Sequence, residues 1–289
     1  MWESLATLDR RWIFLAMALA VAIPILIDRP FPESPTPQTK VVFDTVENLP
    51  PGSKIMLALD YDPGSAAELA PMSTALVRHC CLKRHKMYFL TLWPAGPPMI
   101  DANIRDIIKG EFADAKLVYG EDYVNLGFKP GQEVAIKLIA NDLRKLFTAD
   151  VEGTNLDNIP MTRNISNVRD MDLVLNISAG YPGAKEWVQY AGTQGKLRLA
   201  VGCTGVQSPQ MYPYFPDQVI GILAAIKGAA EYEAALGAKY EQYRDPTKTV
   251  AIKRMAPQLV AHLLMVGLII LGNIVHFTTK RKAGTGAGR

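Results

Sequence analysis

The chain has 289 residues, 49% hydrophobic and 20% charged, with a formal net charge of +3. So small a charge, with no long block of Lys and Arg to face phosphates, argues against nucleic acid as a partner. Three cysteines cannot all pair, and a bridge between neighbours would strain the peptide joining them, so Cys80, Cys81 and Cys203 read as free, mostly buried thiols.

Residues 1–11 form a short N-terminal tail, followed by the apolar run Trp12 to Ile27, slightly short of the roughly 20 residues that span a hydrocarbon core. Arg10 and Arg11, with the triplets Ala18-Leu19-Ala20 and Ala20-Val21-Ala22, also suit a cleavable signal peptide. Cutting after Ala22 would leave Ile23-Pro24-Ile25-Leu26-Ile27 as a sticky new terminus. The run is therefore read as an uncleaved signal-anchor, transmembrane helix 1, with a mild kink where Pro24 removes a hydrogen bond. Residues 28–40 carry Pro30, Pro32, Pro35 and Pro37 and read as an extended stalk.

Residues 41–245 alternate short β-rich runs with helix-period segments. That pattern predicts an α/β fold: a single Rossmann-like three-layer domain with a mostly parallel sheet, flanked by N- and C-terminal transmembrane helices. The first strand is Lys54 to Asp60, ended by Tyr61-Asp62-Pro63-Gly64. A helix follows with Leu69, Met72, Leu76 and Cys80 on one face and the basic cluster Lys83 to Lys86 at its end. Met87 to Trp93 is the second strand, Ile100 to Phe112 a helix, and Lys116 to Tyr119 a short third strand. Gly127, Pro130 and Gly131 make a loop into a helix from Gln132 to Phe147, and the Asn-rich stretch Thr148 to Arg169 has no sustained period. Asp172 to Ser178 is the fourth strand, Pro182 to Tyr190 a short helix, and Lys196 to Gly202 the fifth and last strand.

After Pro209, Pro213 and Pro216 a long helix is expected from Asp217 to about Tyr243. On it Gly221, Ala225 and Ala229 fall at i, i+4 and i+8, and Tyr232, Leu236, Tyr240 and Tyr243 form a stripe. Either the whole helix packs on its own sheet, or its second half projects as an interaction helix that pairs with another subunit. Residues 246–258, with Pro246 and Pro257, form a juxtamembrane linker; residues 259–277 are transmembrane helix 2; residues 278–289 are a basic C-terminal tail. Within the second span His262 and His276 lie near the ends, whereas Asn273 is deep enough to seek a partner helix. Arg10 and Arg11 at one tail, and Lys280, Arg281 and Lys282 at the other, favour both termini in the cytoplasm and the domain outside.

In an open parallel sheet ligands sit beyond the carboxyl ends of the strands. The candidate ligand-binding residues are therefore Asp60, Tyr61 and Asp62, Trp93, Ser178, Gly180 and Gly183, and Cys203, Thr204 and Gly205. Asp60 and Asp62 could hold Mg²⁺ through oxygen, and Asp60-Tyr61-Asp62 resembles the opening motif of haloacid-dehalogenase-like phosphatases. That resemblance implies a nucleophile at Asp60 and a general acid at Asp62. No later strand ends in the paired acids of that family, and turn and cap roles ahead of Pro63 account for both aspartates. Neither a Walker-type loop nor Gly-x-Gly-x-x-Gly occurs, and no histidine falls at a strand mouth to serve Cys203. Neither cofactor nor resident metal is expected, and the chain reads as non-catalytic. The leading expectation is a subunit or scaffold of a membrane assembly, with the bilayer and other membrane subunits, or a second copy, as partners. A ligand-binding module using the strand-end cleft, suggested by Trp93, Tyr181 and the glycines, comes next, and a Mg²⁺-dependent phosphohydrolase last.

Overall fold

The computed structural model describes residues 9–27, 31–192 and 197–286, with side chains to Thr278. Asp28 to Pro30 of the expected stalk, Lys196 of the expected fifth strand, and the side chains of Lys280, Arg281, Lys282 and Arg289 lie outside that description. The chain divides into two units, Pro32–Ile252 and the two terminal segments together.

In the terminal unit α1 spans Arg10–Ile27, and its 18 residues are long and apolar enough to cross a membrane. In the domain, α2 (Pro37–Asn48) is followed by β1 (Lys54–Asp60), α3 (Ala66–Leu82), β2 (Lys86–Thr91) and α4 (Pro97–Ala102), whose axis continues as a wider helix over Asn103–Glu111. Then come β3 (Tyr123–Phe128), α5 (Gln132–Asp142), β4 (Leu173–Ser178), α6 (Ala184–Tyr190), β5 (Leu199–Cys203), α7 (Ser208–Met211), β6 (Gly221–Ala224) and α8 (Ala225–Lys239). The last helix, α9 (Val250–Gly286), contains the second segment long and apolar enough to cross a membrane.

Among the described residues six strands form one sheet, all parallel, in the order β3-β2-β1-β4-β5-β6. The fold is thus the expected Rossmann-like α/β sheet with helices on both faces. Ile55 to Asp60 are fully buried, as a strand covered on both sides must be. On one face α2, α3 and α8 pack together. On the other, α5, α6 and residues of the 148–169 excursion close over Met56, Ala58, Tyr88, Leu90, Val174 and Val201.

The sheet has one strand more than expected, because the predicted Asp217–Tyr243 helix divides at Ala225. Gly221-Ile222-Leu223-Ala224 is an apolar run too short for periodicity to separate strand from helix. It pairs with β5, under α2, where a side chain at Gly221 would lie 2.5 Å from the Gln38 carbonyl oxygen. Gly221 and Ala225 therefore share no helix face. Ala229, Tyr232 and Leu236 are buried in α8 against the domain's own core, Tyr243 is buried beyond it, and the half-buried Tyr240 donates to Glu47, so the expected interaction stripe is spent within the domain. The third strand also shifts, from Lys116–Tyr119 to Tyr123–Phe128. Buried Asn125 and Gly127, at φ +78°, disguise it, and its register slips between Phe89 and Thr91 of β2.

Both expected linkers are bonded into the domain where their helices start. Pro37 opens α2, and the buried Glu231 accepts from Thr36 N (3.0 Å), Thr36 Oγ1 (2.7 Å) and Thr39 Oγ1 (2.7 Å). At the other end α9 begins at Val250, inside the expected linker, and the buried Glu233 accepts from Ala251 N (3.1 Å) and Ile252 N (3.0 Å). Each carboxylate sits at the positive end of a helix start, Glu233 on two free amides and Glu231 on one amide and two hydroxyls. Asn273 donates to the Ile269 carbonyl of its own helix (2.9 Å).

Where α2, α3 and α8 meet, a polar knot forms around the buried His79. His79 bonds Glu47 through Nε2 (2.9 Å) and Tyr232 through Nδ1 (2.7 Å), while Tyr240 (2.7 Å) and Lys83 (3.1 Å) also donate to Glu47. Burial pushes the imidazole down to about 4 despite Glu47. Burial pushes the Glu47 carboxyl up, but its bonds from His79, Tyr240 and Lys83 outweigh that and hold it at about 2.

One guanidinium gathers several carbonyls of the irregular 148–169 excursion. Arg144 donates to the carbonyls of Ile165 (2.9 Å), Thr162 (2.7 Å) and Arg163 (3.0 Å) and to Asp157 Oδ1 (2.5 Å). Arg144→Met keeps the aliphatic stem and removes these bonds, so a loss of about 2 kcal/mol is expected. Limited proteolysis should then cut between Asp157 and Ser166 on the order of ten times faster, because the excursion opens locally; an unchanged cleavage rate contradicts this.

Candidate functional site

The chain places Asp60 at the carboxyl end of β1, in the middle of the sheet. Its side chain is fully buried: Oδ1 accepts from Leu92 N (2.7 Å), and Oδ2 from Asn176 Nδ2 (2.8 Å) and Trp187 Nε1 (2.9 Å). Burial raises this carboxyl to about 6 against the bonds that favour its ionised form. Asp60 thereby ties β1 to the end of β2, to β4 and to α6.

Tyr61 points to the opposite face, buried, with its hydroxyl 2.8 Å from Ser73 Oγ, and burial pushes it to about 12. Asp62 accepts from Ser65 N (2.9 Å) in the turn before α3, and bonds from Ser65 hold its carboxyl below its ordinary value. The aspartates therefore have separate structural tasks, and Asp60 has no open face for a nucleophile or a Mg²⁺ ligand. Among the described residues no three His, Cys, Asp or Glu side chains cluster as a metal site.

Trp93 follows β2 and is half-buried. Its indole donates to the Pro182 carbonyl (2.7 Å), and a side chain at Gly180 would come within 3.1 Å of the ring. At Gly183 an added Cβ would lie 2.1 Å from the Gly180 oxygen and 2.9 Å from Ser178 Oγ, which itself accepts from Ala184 N (2.8 Å) at the start of α6. Both glycines thus permit a tight β4–α6 turn against Trp93, and Ser178 fixes its far end.

The result is a cleft of about 490 Å³ beyond the carboxyl ends of β2, β3 and β4. Trp93, Phe128 and Tyr181 supply aromatic surface, Pro94, Pro130 and Pro182 rigid apolar surface, and Gln132 a polar side chain. The Tyr181 hydroxyl donates to Glu133, joining the β4–α6 turn to the first turn of α5. Cys203, Thr204 and Gly205 end β5 and are not among the cleft residues; burial pushes the Cys203 thiol up to about 12, and Gly205 N donates to Glu68 (2.8 Å). Of the expected residues Trp93 lines the cleft, Gly180, Gly183 and Ser178 shape it, and Asp60 supports it from behind. The sequence pattern does not single out Phe128 and Gln132, because its third strand falls at Lys116–Tyr119; the Gly127, Pro130 and Gly131 turn marks their position.

No protein-family model matches this chain, and no curated protein matches it in sequence. A solved structure of trehalose-6-phosphate synthase is similar over 82% of this chain and 46% of its own, with 9% identity and a TM-score of 0.30. The chain thus spans about half the length of that protein.

Proposed function

We propose that this chain is a membrane-tethered binding module that takes a small, uncharged, flat organic molecule in the cleft beyond β2, β3 and β4. The cleft itself carries the reading. Its volume, about 490 Å³, falls in the range of roughly 300–1,000 Å³ typical of small-molecule sites, at the position where such sheets bind ligands. Its lining offers aromatic and proline surface without a charged side chain, which suits a neutral ring system and penalises an ion. In this reading α1 and α9 are the two spans, the basic tails face the cytoplasm, and the domain lies outside.

The test is a ligand-observed NMR screen of uncharged flat aromatics, 7-methoxycoumarin among them, against the full-length protein in detergent. Compounds that compete with one another are expected, with affinity reduced on the order of tenfold or more by Trp93→Ala, the loss of one aromatic anchor. A binding profile identical in Trp93→Ala, or one dominated by ions, overturns the reading.

The exposed apolar helices favour a second reading, a non-catalytic subunit or scaffold of a membrane assembly whose other subunits cover them. Purification from native membranes in mild detergent tests it: a monomeric mass without companions counts against it.

A further inference from the structure

We infer that Asp60 and Asn176 form a proton-operated support for the cleft, in which ionised Asp60 holds the Leu92–Trp93 segment firmly and protonated Asp60 lets it slacken as the Asn176 amide turns over. The inference rests on the ligand reading above and concerns how that same cleft is regulated.

The Thr91 hydroxyl faces the Asp60 carboxyl, and three N–H groups donate to its two oxygens: Leu92 N, Asn176 Nδ2 and Trp187 Nε1. That set fits a carboxylate, which only accepts, and clashes with a carboxylic acid, which must also donate. A proton arriving on Asp60 needs an acceptor, and the Thr91 oxygen beside it already accepts from Trp93 N (3.1 Å). The backbone amide of Leu92 and the ring of the fully buried Trp187 are fixed by the fold. The Asn176 amide is different: its Oδ1 is buried and has no hydrogen-bond partner. Half a turn of that amide brings Oδ1 to the place of Nδ2, 2.8 Å from Asp60 Oδ2, and gives the proton its acceptor. The turn leaves Nδ2 unpaired in place of Oδ1 and gives up only its long contact to the Ala58 carbonyl (3.5 Å).

The consequence for the cleft runs through Leu92. Its amide makes the shortest of the three bonds to Asp60, 2.7 Å, one residue before the Trp93 that lines the cleft. Hydrogen bonds to an ionised acceptor are roughly twice as strong as neutral ones, so protonation weakens this hold without breaking the chain's other contacts. The groups that face Asp60 come from β2 (the Thr91 hydroxyl and Leu92 N), β4 (Asn176) and α6 (Trp187), and none of them carries a charge. The support therefore answers to its own proton, and burial places that exchange at about 6.

The experiment is a pH titration of the full-length protein, ¹⁵N-labelled at tryptophan, in detergent micelles between pH 4.5 and 8. The indole signals of Trp187 and Trp93 are expected to move together with a midpoint near 6. Asp60→Asn should abolish both movements. Trp187→Phe, which removes one donor to the ionised form, should raise the Trp93 midpoint by about one unit and serves if the Asp60 variant does not fold. A Trp93 signal that stays fixed while Trp187 moves overturns the inference, as do two fixed signals. Because the titration needs no ligand, fixed signals in a protein that still binds neutral aromatics remove the switch and leave the cleft reading standing. Joint titration in a protein that binds none keeps the switch and removes the ligand.

Discussion

Asp60→Ala is expected to destabilise the domain by about 4 kcal/mol and to abolish the ligand binding proposed for the cleft. The substitution leaves three buried N–H groups without an acceptor: Leu92 N, Asn176 Nδ2 and Trp187 Nε1. A buried donor deprived of its partner costs about 1–3 kcal/mol, and breaking an ionic buried network about 3–5. Relief of the carboxylate's own burial returns part of this, which is why the lower sum applies. In a domain of this size the loss corresponds to a fall in Tm of roughly 10 °C, read at pH 7 by near-UV circular dichroism of the full-length protein. Asp62→Ala is the control, because it removes only a turn contact to Ser65 and should cost about 1 kcal/mol. If the two variants melt together, Asp60 is not the support described.

How far this arrangement could be read beforehand depends on which property of the chain carries it. The continuous apolar run of β1 and the turn after it set both ends of that strand, and the pattern of strands and helices set the parallel sheet. Strand parity also held a usable signal: Met56, Ala58 and Asp60 alternate to one face, where Met56 and Ala58 share a core with Trp187. An acid on that face had to find donors there. β3 and β6 were harder, because buried Asn125 and Gly127 imitate a loop, whereas Gly221 to Ala224 imitate the start of a helix. The stripe Ala229, Tyr232 and Leu236 was visible, but periodicity reports that a face is buried and not what covers it. The cleft was least legible of all. Its lining comes from three loops far apart in sequence, at Leu92–Pro94, Phe128–Gln132 and Tyr181–Pro182, which only the order β3-β2-β1-β4 brings side by side.

Between pH 6 and 4.5 the stability of the natural protein is expected to stay nearly level, and that of Asp60→Asn to fall by about 2 kcal/mol. The buried His79 imidazole titrates at about 4 in the fold and at 6.5 when unfolded, so in this window the unfolded chain binds the extra proton and acid destabilises. Asp60 does the reverse. Its carboxyl titrates at about 6 in the fold and at 3.8 when unfolded, so the folded chain binds the extra proton; its contribution is complete below 3.8 and disappears as pH rises through 6. Each slope approaches about 1.4 kcal/mol per pH unit, with opposite sign, and together they nearly cancel. His85, pushed down by burial, pulls with His79, and Glu33, pushed up by burial, pulls with Asp60. Glu47, held at about 2 against an ordinary 4.5, begins to give up its contribution at the acid end of this window and loses most of it below. Removing the Asp60 proton site should expose the histidine slope, and His79→Gln should expose the opposite one, a protein that gains stability as acid is added. Denaturant unfolding at pH 6.0, 5.2 and 4.5 separates the three chains, and an Asp60→Asn protein as level as its parent would show that the two buried groups do not offset each other.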